Sequence, residues 1–374
     1  MRKFKSSGII SLLDTYLQYN LAESTSGDII LGDYLDDCLL KKLSEIRLGY
    51  GTSLGNNQLR AEIAKRLDIS QEKVLITNGS TAGLFMSIFC LCGEKDSVVT
   101  VSPNFPPILE MAPALNAAQN VLPLKFEENY QIDLDRLSKI FSQRTKLVIL
   151  ASPHNPSGTT INISTIKHVL EILAEKSPKA YLLIDEVYRE ATYGNAPIHK
   201  SVASLSEKIL TVSSISKSHG APGLRVGWIT CHDYNLLEQC TLSKLNTVIS
   251  CSVVDELIGE HILKNSDKIL KSKQVLLAKG LELVSTWIEK NIEYVEWVQP
   301  KAGALCCVRL RPSVFDDEAV ACFYDKAATH QVQIAPGNWF MDEKRVFRLG
   351  FGFLPLKTLP AALNALEKTY KSVL

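Results

Sequence analysis

The fold is decided by three stretches of the sequence: KLVILASPHNPSGT (residues 146–159), YLLIDEVYRE (181–190) and KILTVSSISKSHG (208–220). Each begins with a short run rich in Leu, Ile or Val, and polar residues follow, which predicts a strand that ends in a loop. Because the apolar runs are nearly continuous instead of alternating, both faces of these strands should be buried. We therefore predict an α/β fold in which helices cover a mostly parallel sheet.

The rest of the chain extends this pattern on both sides. Residues 232–290 have a helical pattern, and no linker rich in Gly, Ser or Pro divides the chain. We predict a large domain at 45–275 and a smaller α+β domain made from both chain ends, 1–44 and 276–374. Further strands are predicted at KVLITNG (73–79), DSVVTVSP (96–103), GLRVGWIT (223–230), ALCCVRL (304–310) and RVFRLGF (345–351), and amphipathic helices at 316–330 and 360–374.

Composition excludes several functional classes. The 374 residues carry 41 Lys and Arg against 40 Asp and Glu, and this net charge of +1 offers no global field for nucleic acid or an anionic membrane. Nine scattered Cys and seven dispersed His suit neither a disulfide framework nor a metal site, so we expect mostly buried free thiols in a reducing compartment. The longest apolar run, 82–92, is too short to span a bilayer, and the N-terminus lacks a signal-peptide cleavage site. We expect a cytoplasmic protein with a small-molecule site.

Polar side chains cluster at the predicted carboxyl ends of the strands, which is where ligands bind in parallel α/β sheets. The residues that would line this edge include one lysine, one arginine and one aspartate. The candidates are Asn155, Asp185, Tyr188, Ser214, Lys217 and Arg225, together with Gly79, Ser80 and Thr81 at the start of a predicted helix.

These residue types are complementary to a phosphorylated pyridine aldehyde. The free N–H groups of residues 79–81 at a helix N-terminus favour a phosphate, to which Ser214 and Arg225 could add donors. Asp185 would keep a pyridine nitrogen protonated, and Lys217 could form a Schiff base with the aldehyde. Asn155 and Tyr188 could hydrogen-bond the phenolic oxygen, while Phe105 in SPNFPP could stack on the ring.

The ordered set GSTAG, SPNFPP, SPHNPSGT, IDEVYRE, SSISK and GLRVGW resembles the fold type I pyridoxal-phosphate enzymes, and most of all the class I/II aminotransferases. LGYGTSLGNNQLRAEIA (48–64) is similar to an early segment of that family, and VFRLGFG (346–352) is similar to its late arginine strand. The likeness runs from about Tyr50 to Phe353. Each fragment alone is weak, whereas six or more in the right order are specific.

The resemblance implies an aspartate-aminotransferase-like fold and a transferase that acts on an α-amino acid and a 2-oxo acid. It implies that Lys217 carries pyridoxal 5'-phosphate as an internal aldimine and that Asp185 pairs with the pyridine nitrogen. It also implies that Arg348 grips the substrate α-carboxylate and that Tyr50 reaches the neighbouring site of a homodimer. The phenolic oxygen would be held by Asn155 and Tyr188, and the phosphate by Ser80, Thr81, Ser214 and Arg225.

Simpler structural roles stand beside these assignments. Asp185 could merely cap a helix, Arg348 could pair with a neighbouring carboxylate, and Tyr188 and Phe105 could be core aromatics. Both Arg225 and Arg348 are predicted on apolar strands. His154 and His219 are expected to be satisfied loop histidines, and Cys306 and Cys307 to pack within a strand.

Other functions also stay open. The same scaffold supports decarboxylation, β-elimination and cyclising replacement, and a non-catalytic regulator that binds the cofactor is a less favoured alternative. The sequence GALCCVRL (303–310) departs from the aromatic residues that many relatives have there, so no known specificity can be transferred. The stretch before Tyr50 is unlike the usual pattern, and its role is unassigned.

Overall fold

The computed structural model describes residue 4, residues 8–15 and residues 17–374, with the side chain of residue 13 left out. Its helices are α1 (Ser11–Asp14), α2 (Asp37–Glu45), α3 (Asn57–Leu67), α4 (Gly79–Leu91), α5 (Pro106–Ala114), α6 (Leu134–Ile140), α7 (Ile163–Lys176), α8 (Tyr234–Val248), α9 (Val253–Lys264), α10 (Ser266–Lys290), α11 (Asp317–Thr329) and α12 (Leu359–Lys371). Its strands are β1 (Tyr19–Asn20), β2 (Val74–Asn78), β3 (Ser97–Ser102), β4 (Ala118–Pro123), β5 (Thr145–Ala151), β6 (Tyr181–Asp185), β7 (Ile209–Ser214), β8 (Val226–Cys231), β9 (Val295–Val298), β10 (Leu305–Leu310), β11 (Val332–Gln333), β12 (Ala335–Pro336) and β13 (Val346–Gly350).

The large sheet has seven strands in the order β2-β8-β7-β6-β5-β3-β4. Strands β4, β3, β5, β6 and β7 run parallel to one another, and β8 is antiparallel to both β7 and β2. The predicted α/β class with a mostly parallel sheet is confirmed. The edge strand β4 was not predicted, because its residues are mostly half-buried or exposed and lack a continuous apolar run.

Both faces of the central strands are buried, as their apolar sequences predict. In β5, Leu147 and Ile149 pack with apolar residues of α4, α5 and α8 on one face. The alternate residues Val148 and Leu150 pack with α6 and α7 on the other face. This two-sided cover holds the strand ends in fixed positions and leaves their loops to form a site.

A second, four-stranded sheet has the order β12-β13-β10-β9 and packs against α10, α11 and α12. The short strand β1 pairs in parallel with β11, so residues near the N-terminus join the C-terminal part of the chain. The predicted domain border at 275/276 falls inside α10, and the division into 45–275 against 1–44 and 276–374 stays a prediction. No helix in the described part of the chain is long and apolar enough to cross a membrane.

Candidate active site

The carboxyl ends of β5, β6 and β7 lie side by side and form the floor of the candidate site. Ala151 at the end of β5 is paired with Asp185 at the end of β6, and Asp185 is paired with Val212 in β7. The loops that follow these strands carry Asn155 and Lys217. The structure therefore brings together residues that the sequence places on three separate strands.

Lys217 lies in the loop after β7 and forms an ion pair that the sequence did not predict. Its Nζ donates to Glu23 Oε1 at 2.9 Å, and both side chains are about three-quarters buried. Burial alone would raise the pKa of Glu23, but the Lys217 ammonium and, farther away, Arg348 lower it to about 2. Glu23 is therefore a fixed negative charge beside the amine of Lys217.

Arg348 in β13 is only 3% exposed, and two of its three guanidinium nitrogens donate hydrogen bonds. Its Nη1 donates to Asn155 Oδ1 at 3.0 Å and its Nη2 donates to the carbonyl oxygen of Ala22 at 2.6 Å. Among the described residues, its buried Nε has no acceptor. No carboxylate forms a salt bridge with Arg348 within this part of the chain, so an anionic ligand would supply its missing partner.

Asp185 is a buried carboxylate, 6% exposed, without a cationic partner among the described residues. Its Oδ1 accepts the backbone N–H of Val187 at 3.0 Å, so it does cap the turn that follows β6. Burial and, to a lesser extent, the charge of nearby Glu186 raise the pKa of Asp185 to about 7, against the opposing effect of the Val187 N–H. A protonated pyridine nitrogen would supply the positive charge that this carboxylate lacks.

Tyr188 joins the same group of side chains. It is buried, its hydroxyl donates to Ser24 Oγ at 2.9 Å, and its ring lies against Gly303. Asn155 uses its Oδ1 for Arg348, and its Nδ2 has no acceptor among the described residues. The Asn155 amide and the Tyr188 hydroxyl are therefore both suited to hydrogen-bond an oxygen of a ligand.

Three of the predicted phosphate-binding residues meet at the start of α4: Gly79, Ser80 and Arg225. Gly79 has φ +74°, and a Cβ atom there would collide with the Arg225 guanidinium, so the two residues are in close contact. A Cβ at Gly227 would collide with the backbone of Gly79 and Ser80, which places the start of β8 against the same helix end. No side chain caps this helix, so its first N–H groups can bind an anion.

The position of Arg225 corrects one prediction. Arg225 does not lie on an apolar strand but precedes β8, in the left-handed region at φ 51°. Its side chain is exposed, and its Nη1 donates to the carbonyl oxygen of Pro222 at 2.8 Å. An exposed guanidinium needs no buried counter-ion, so the desolvation argument for an anionic partner does not apply to it. The contact of Arg225 with Gly79 at the start of α4 is instead what supports a role in binding the phosphate.

The other predicted cofactor residues lie at different depths. Ser214, the last residue of β7, is buried and accepts a hydrogen bond from Ser216 N at 3.3 Å. Thr81 is half-buried in the first turn of α4. Phe105 precedes α5 and packs, partly buried, against the apolar core on that face of the sheet. Tyr50 is 83% exposed, and its side chain forms no hydrogen bond with the other candidate residues in the described chain.

His154 is a satisfied loop histidine and Cys306 and Cys307 pack within a strand, as predicted, whereas the buried Nδ1 of His219 has no hydrogen-bond partner among the described residues. His154 bonds through its two ring nitrogens to Ser157 Oγ at 2.8 Å and to the carbonyl oxygen of Pro103 at 2.9 Å. His219 Nε2 contacts Ser266 Oγ at 2.7 Å, and burial lowers the pKa of both histidines to about 4. Cys306 and Cys307 are buried within β10. Among the described residues, no group of His, Cys, Asp and Glu is arranged to hold a metal ion.

Glu23 and its neighbours are what the sequence analysis missed. Residues 20–27 thread between β13 and the Lys217 loop: Gly350 N donates to the Leu21 carbonyl oxygen at 2.6 Å, and Ser26 Oγ donates to that of Lys217 at 2.7 Å. The available signal was a single charged residue among small and apolar ones in NLAESTSG (20–27). Alone, that signal does not specify a site.

The residues present fit a phosphorylated pyridine aldehyde, and comparisons with known proteins agree. A family model described as aminotransferase class I and II matches residues 32–366. The chain is similar to capreomycidine synthase of Streptomyces vinaceus, with 27% identity over 364 residues, which cover 96% of this chain and 91% of that protein.

Solved structures share the fold over nearly the whole chain. A PLP-dependent aminotransferase from Streptococcus suis 89-1591 is 23% identical with a TM-score of 0.90, and the likeness covers 99% of each chain. The PLP-dependent cyclase OrfR is 22% identical with a TM-score of 0.88, over 100% of this chain and 98% of the other. Since the family model spans most of its sequence, the protein belongs to the class I and II aminotransferase family of enzymes, and its cofactor is pyridoxal 5'-phosphate.

Proposed function

We propose that the protein is an aminotransferase that moves an amino group between an α-amino acid and a 2-oxo acid. The observation that carries this proposal is that a lysine and a buried arginine contact two adjacent residues of the segment 20–27. Lys217 Nζ contacts Glu23, and Arg348 Nη2 contacts the carbonyl oxygen of Ala22. An amino acid held by its carboxylate at Arg348 would therefore have its amine and Cα close to Lys217.

The cofactor-binding roles are also part of the proposal. Asp185 would hold the proton on the pyridine nitrogen, and Asn155 and Tyr188 would donate to the phenolic oxygen. When bound, the cofactor supplies an electron sink for the charge that develops at the substrate Cα. Phe105 would pack on the ring, and the phosphate would be bound by Gly79, Ser80, Thr81, Ser214 and Arg225.

The protein's own part in the reaction is to hold the substrate and move a proton. Lys217 Nζ would form the covalent bond to the cofactor until the substrate amine replaces it. The released Nζ would then take the proton from the substrate Cα and deliver it to the carbon that it had left. Arg348 and Asn155 would meanwhile orient the α-carboxylate.

We also propose a homodimer. Tyr50 and Leu48 are more than 80% exposed, and Val248 and Ile249 are exposed nearby, where Gly51 N donates to Ser250 Oγ at 3.2 Å. A second copy that covers this apolar surface would bring Tyr50 to the neighbouring phosphate. The cytoplasmic location stays a prediction.

Gly79 offers a test of the phosphate site. In Gly79→Ala, the added Cβ strains the backbone at φ +74° and displaces the Arg225 guanidinium. We expect the dissociation constant for pyridoxal phosphate to rise roughly 10- to 100-fold, because the displaced Arg225 would lose its charged hydrogen bond to the phosphate, which is worth about 1.5–3 kcal/mol. Titration of the cofactor-free protein would measure it. Gly223→Ala is the control, since a Cβ there meets nothing within 4 Å and should leave the affinity unchanged.

Arg348 offers a test of substrate binding. In Arg348→Gln, the α-carboxylate loses its buried guanidinium, a loss that typically costs about 2–5 kcal/mol. We therefore expect kcat/KM for the amino acid to fall between about 30-fold and several thousand-fold. The control is Arg345→Gln, which removes a guanidinium bound to Asp317 at the protein surface. Unchanged kinetics in Arg348→Gln would remove this residue from the substrate site.

Isotope transfer tests the reaction itself. The purified enzyme would be incubated with pooled amino acids labelled with heavy nitrogen and a panel of 2-oxo acids. Transamination predicts labelled amino acids built on the carbon skeletons of the added 2-oxo acids. Loss of CO₂ or ammonia without that transfer would contradict the proposal.

A second candidate is a cyclising reaction on one amino acid, favoured by the likeness to capreomycidine synthase over 96% of this chain. It predicts a product that forms without any 2-oxo acid and retains the nitrogen and carbon atoms of the substrate. Mass spectrometry of reactions run without a 2-oxo acid separates the two candidates.

A further inference from the structure

We propose that Glu23 is a positioning residue that directs the Lys217 side chain and favours the protonated form of its bond to the cofactor. The inference rests on the proposed function, because it takes Lys217 as the residue that bonds to the cofactor. Glu23 acts through Lys217 in this proposal and does not itself contact a reacting atom.

Glu23 is held in its orientation before any ligand binds. Its Oε1 accepts the backbone N–H of Ser24 at 2.7 Å and that of Thr25 at 3.1 Å, in addition to Lys217 Nζ at 2.9 Å. Two backbone donors on the same oxygen restrict the rotation of the carboxylate. Lys217 therefore meets an oriented acceptor, and less conformational entropy is lost when the contact forms.

The segment that carries Glu23 is tied to the backbone of the lysine loop. Ser26 Oγ donates to the carbonyl oxygens of Lys217 at 2.7 Å and Ser218 at 2.9 Å. The next residue is held from α10, where Lys273 Nζ donates to the Gly27 carbonyl oxygen at 2.6 Å. The carboxylate and the amine thus belong to one connected unit, which keeps them in register.

Charged and titratable groups approach this pair from several elements. Arg348 comes from β13 and Lys273 from α10, while Tyr188 lies in the loop after β6 and bonds to Ser24. Asp28 lies on the Glu23 segment, and burial and the charge of Glu23 raise its pKa. Of these groups, only Glu23 forms a hydrogen bond with Lys217 Nζ among the described residues.

The chemical consequence follows from the charge of the bonded nitrogen. When Lys217 Nζ bonds to the aldehyde carbon, the aldehyde oxygen leaves as water and the nitrogen can retain a proton and a positive charge. A carboxylate beside that nitrogen stabilises the charged form and disfavours the neutral one. Glu23 would therefore keep the bonded nitrogen protonated to higher pH and keep its direction fixed.

The test is a pH titration of the visible absorbance of the cofactor-loaded enzyme without substrate. An opposite charge at this distance shifts a titration by about 1–3 pH units, so in Glu23→Gln the midpoint should fall by that amount. Glu23→Asp retains the charge and should return the midpoint toward that of the wild type. If Glu23→Gln does not fold by circular dichroism, Glu23→Ala removes the same charge and carries the same expectation.

Ser26→Ala is the matched control, because it removes a tie to the same loop and leaves the charge in place. The titration midpoint of Ser26→Ala should equal that of the wild type. If the midpoint fell as far in Ser26→Ala as in Glu23→Gln, the effect would come from the structure of the loop and not from the charge. An unchanged midpoint in Glu23→Gln or Glu23→Ala, once the variant is folded and loaded with cofactor, would overturn the proposal. An effect confined to KM would also overturn it, because Glu23 would then be a substrate contact. If the wild type showed no borohydride-trapped cofactor on Lys217, the proposed function would fail instead.

Discussion

In Lys217→Ala, we expect both the covalent bond to the cofactor and the catalytic activity to be lost. General acid–base catalysis by one side chain typically contributes about 10²–10⁴-fold, so kcat should fall by at least that factor. Alanine also cannot form the bond that the substrate amine displaces, which adds to the loss. Borohydride reduction followed by peptide mass spectrometry would show cofactor attached to Lys217 in the wild type and no attached cofactor at residue 217 in the variant.

The control for this substitution is Lys208→Ala. Lys208 lies over the ring of Tyr181 at 4.4 Å, away from the ion pair with Glu23, and its loss should leave labelling and kcat unchanged. Retention of the wild-type absorbance by Lys217→Ala would contradict the assignment of the cofactor to this lysine. In that variant Glu23 would also lose its ion-pair partner and remain a largely buried charge without one. Some loss of stability is therefore expected, and a melting curve should accompany the kinetics.

The parts of the site that could be predicted from sequence are those set by local pattern. Asp185 and Asn155 each follow an apolar run, and the two-sided burial of β5 and β6 forces those runs into neighbouring strands. Once the strands are parallel, their carboxyl ends meet at one edge. Position relative to a strand was therefore enough to bring these residues together with Lys217.

The rest depends on contacts between distant parts of the chain. Glu23 and Lys217 are 194 residues apart, and Arg348 and Asn155 are 193 apart, so no local periodicity connects them. The exposed, left-handed Arg225 was misplaced for a related reason, because a residue next to an apolar strand has the same sequence signal as one within it. Such positions are settled by packing of loops, which hydrophobic patterns do not encode.

Asp185→Asn is expected to separate stability from activity. Burial raises the pKa of Asp185 from 3.8 to about 7 in the folded chain without cofactor. The folded state therefore binds more protons than the unfolded state between these two values, and stability declines as the pH rises through them. The variant lacks this titration, so its cofactor-free form should match the wild type near pH 4 and become more stable above pH 7. Since one pKa unit corresponds to about 1.4 kcal/mol, the gain should be a few kcal/mol.

The activity of Asp185→Asn should fall, although its stability rises. A neutral amide cannot hold the pyridine nitrogen protonated, and loss of one preorganised electrostatic group typically lowers kcat by about 10²–10³-fold. Melting temperatures of the cofactor-free proteins at pH 4 and pH 8, with kcat of the loaded enzymes, would measure both effects. Asp233→Asn is a control of opposite sign, since the Tyr181 hydroxyl and backbone N–H groups lower the pKa of Asp233, and its loss should destabilise the protein at neutral pH. An Asp185→Asn enzyme that kept its full kcat would show that this carboxylate is only a buried turn cap, because the amide retains the bond from Val187 N.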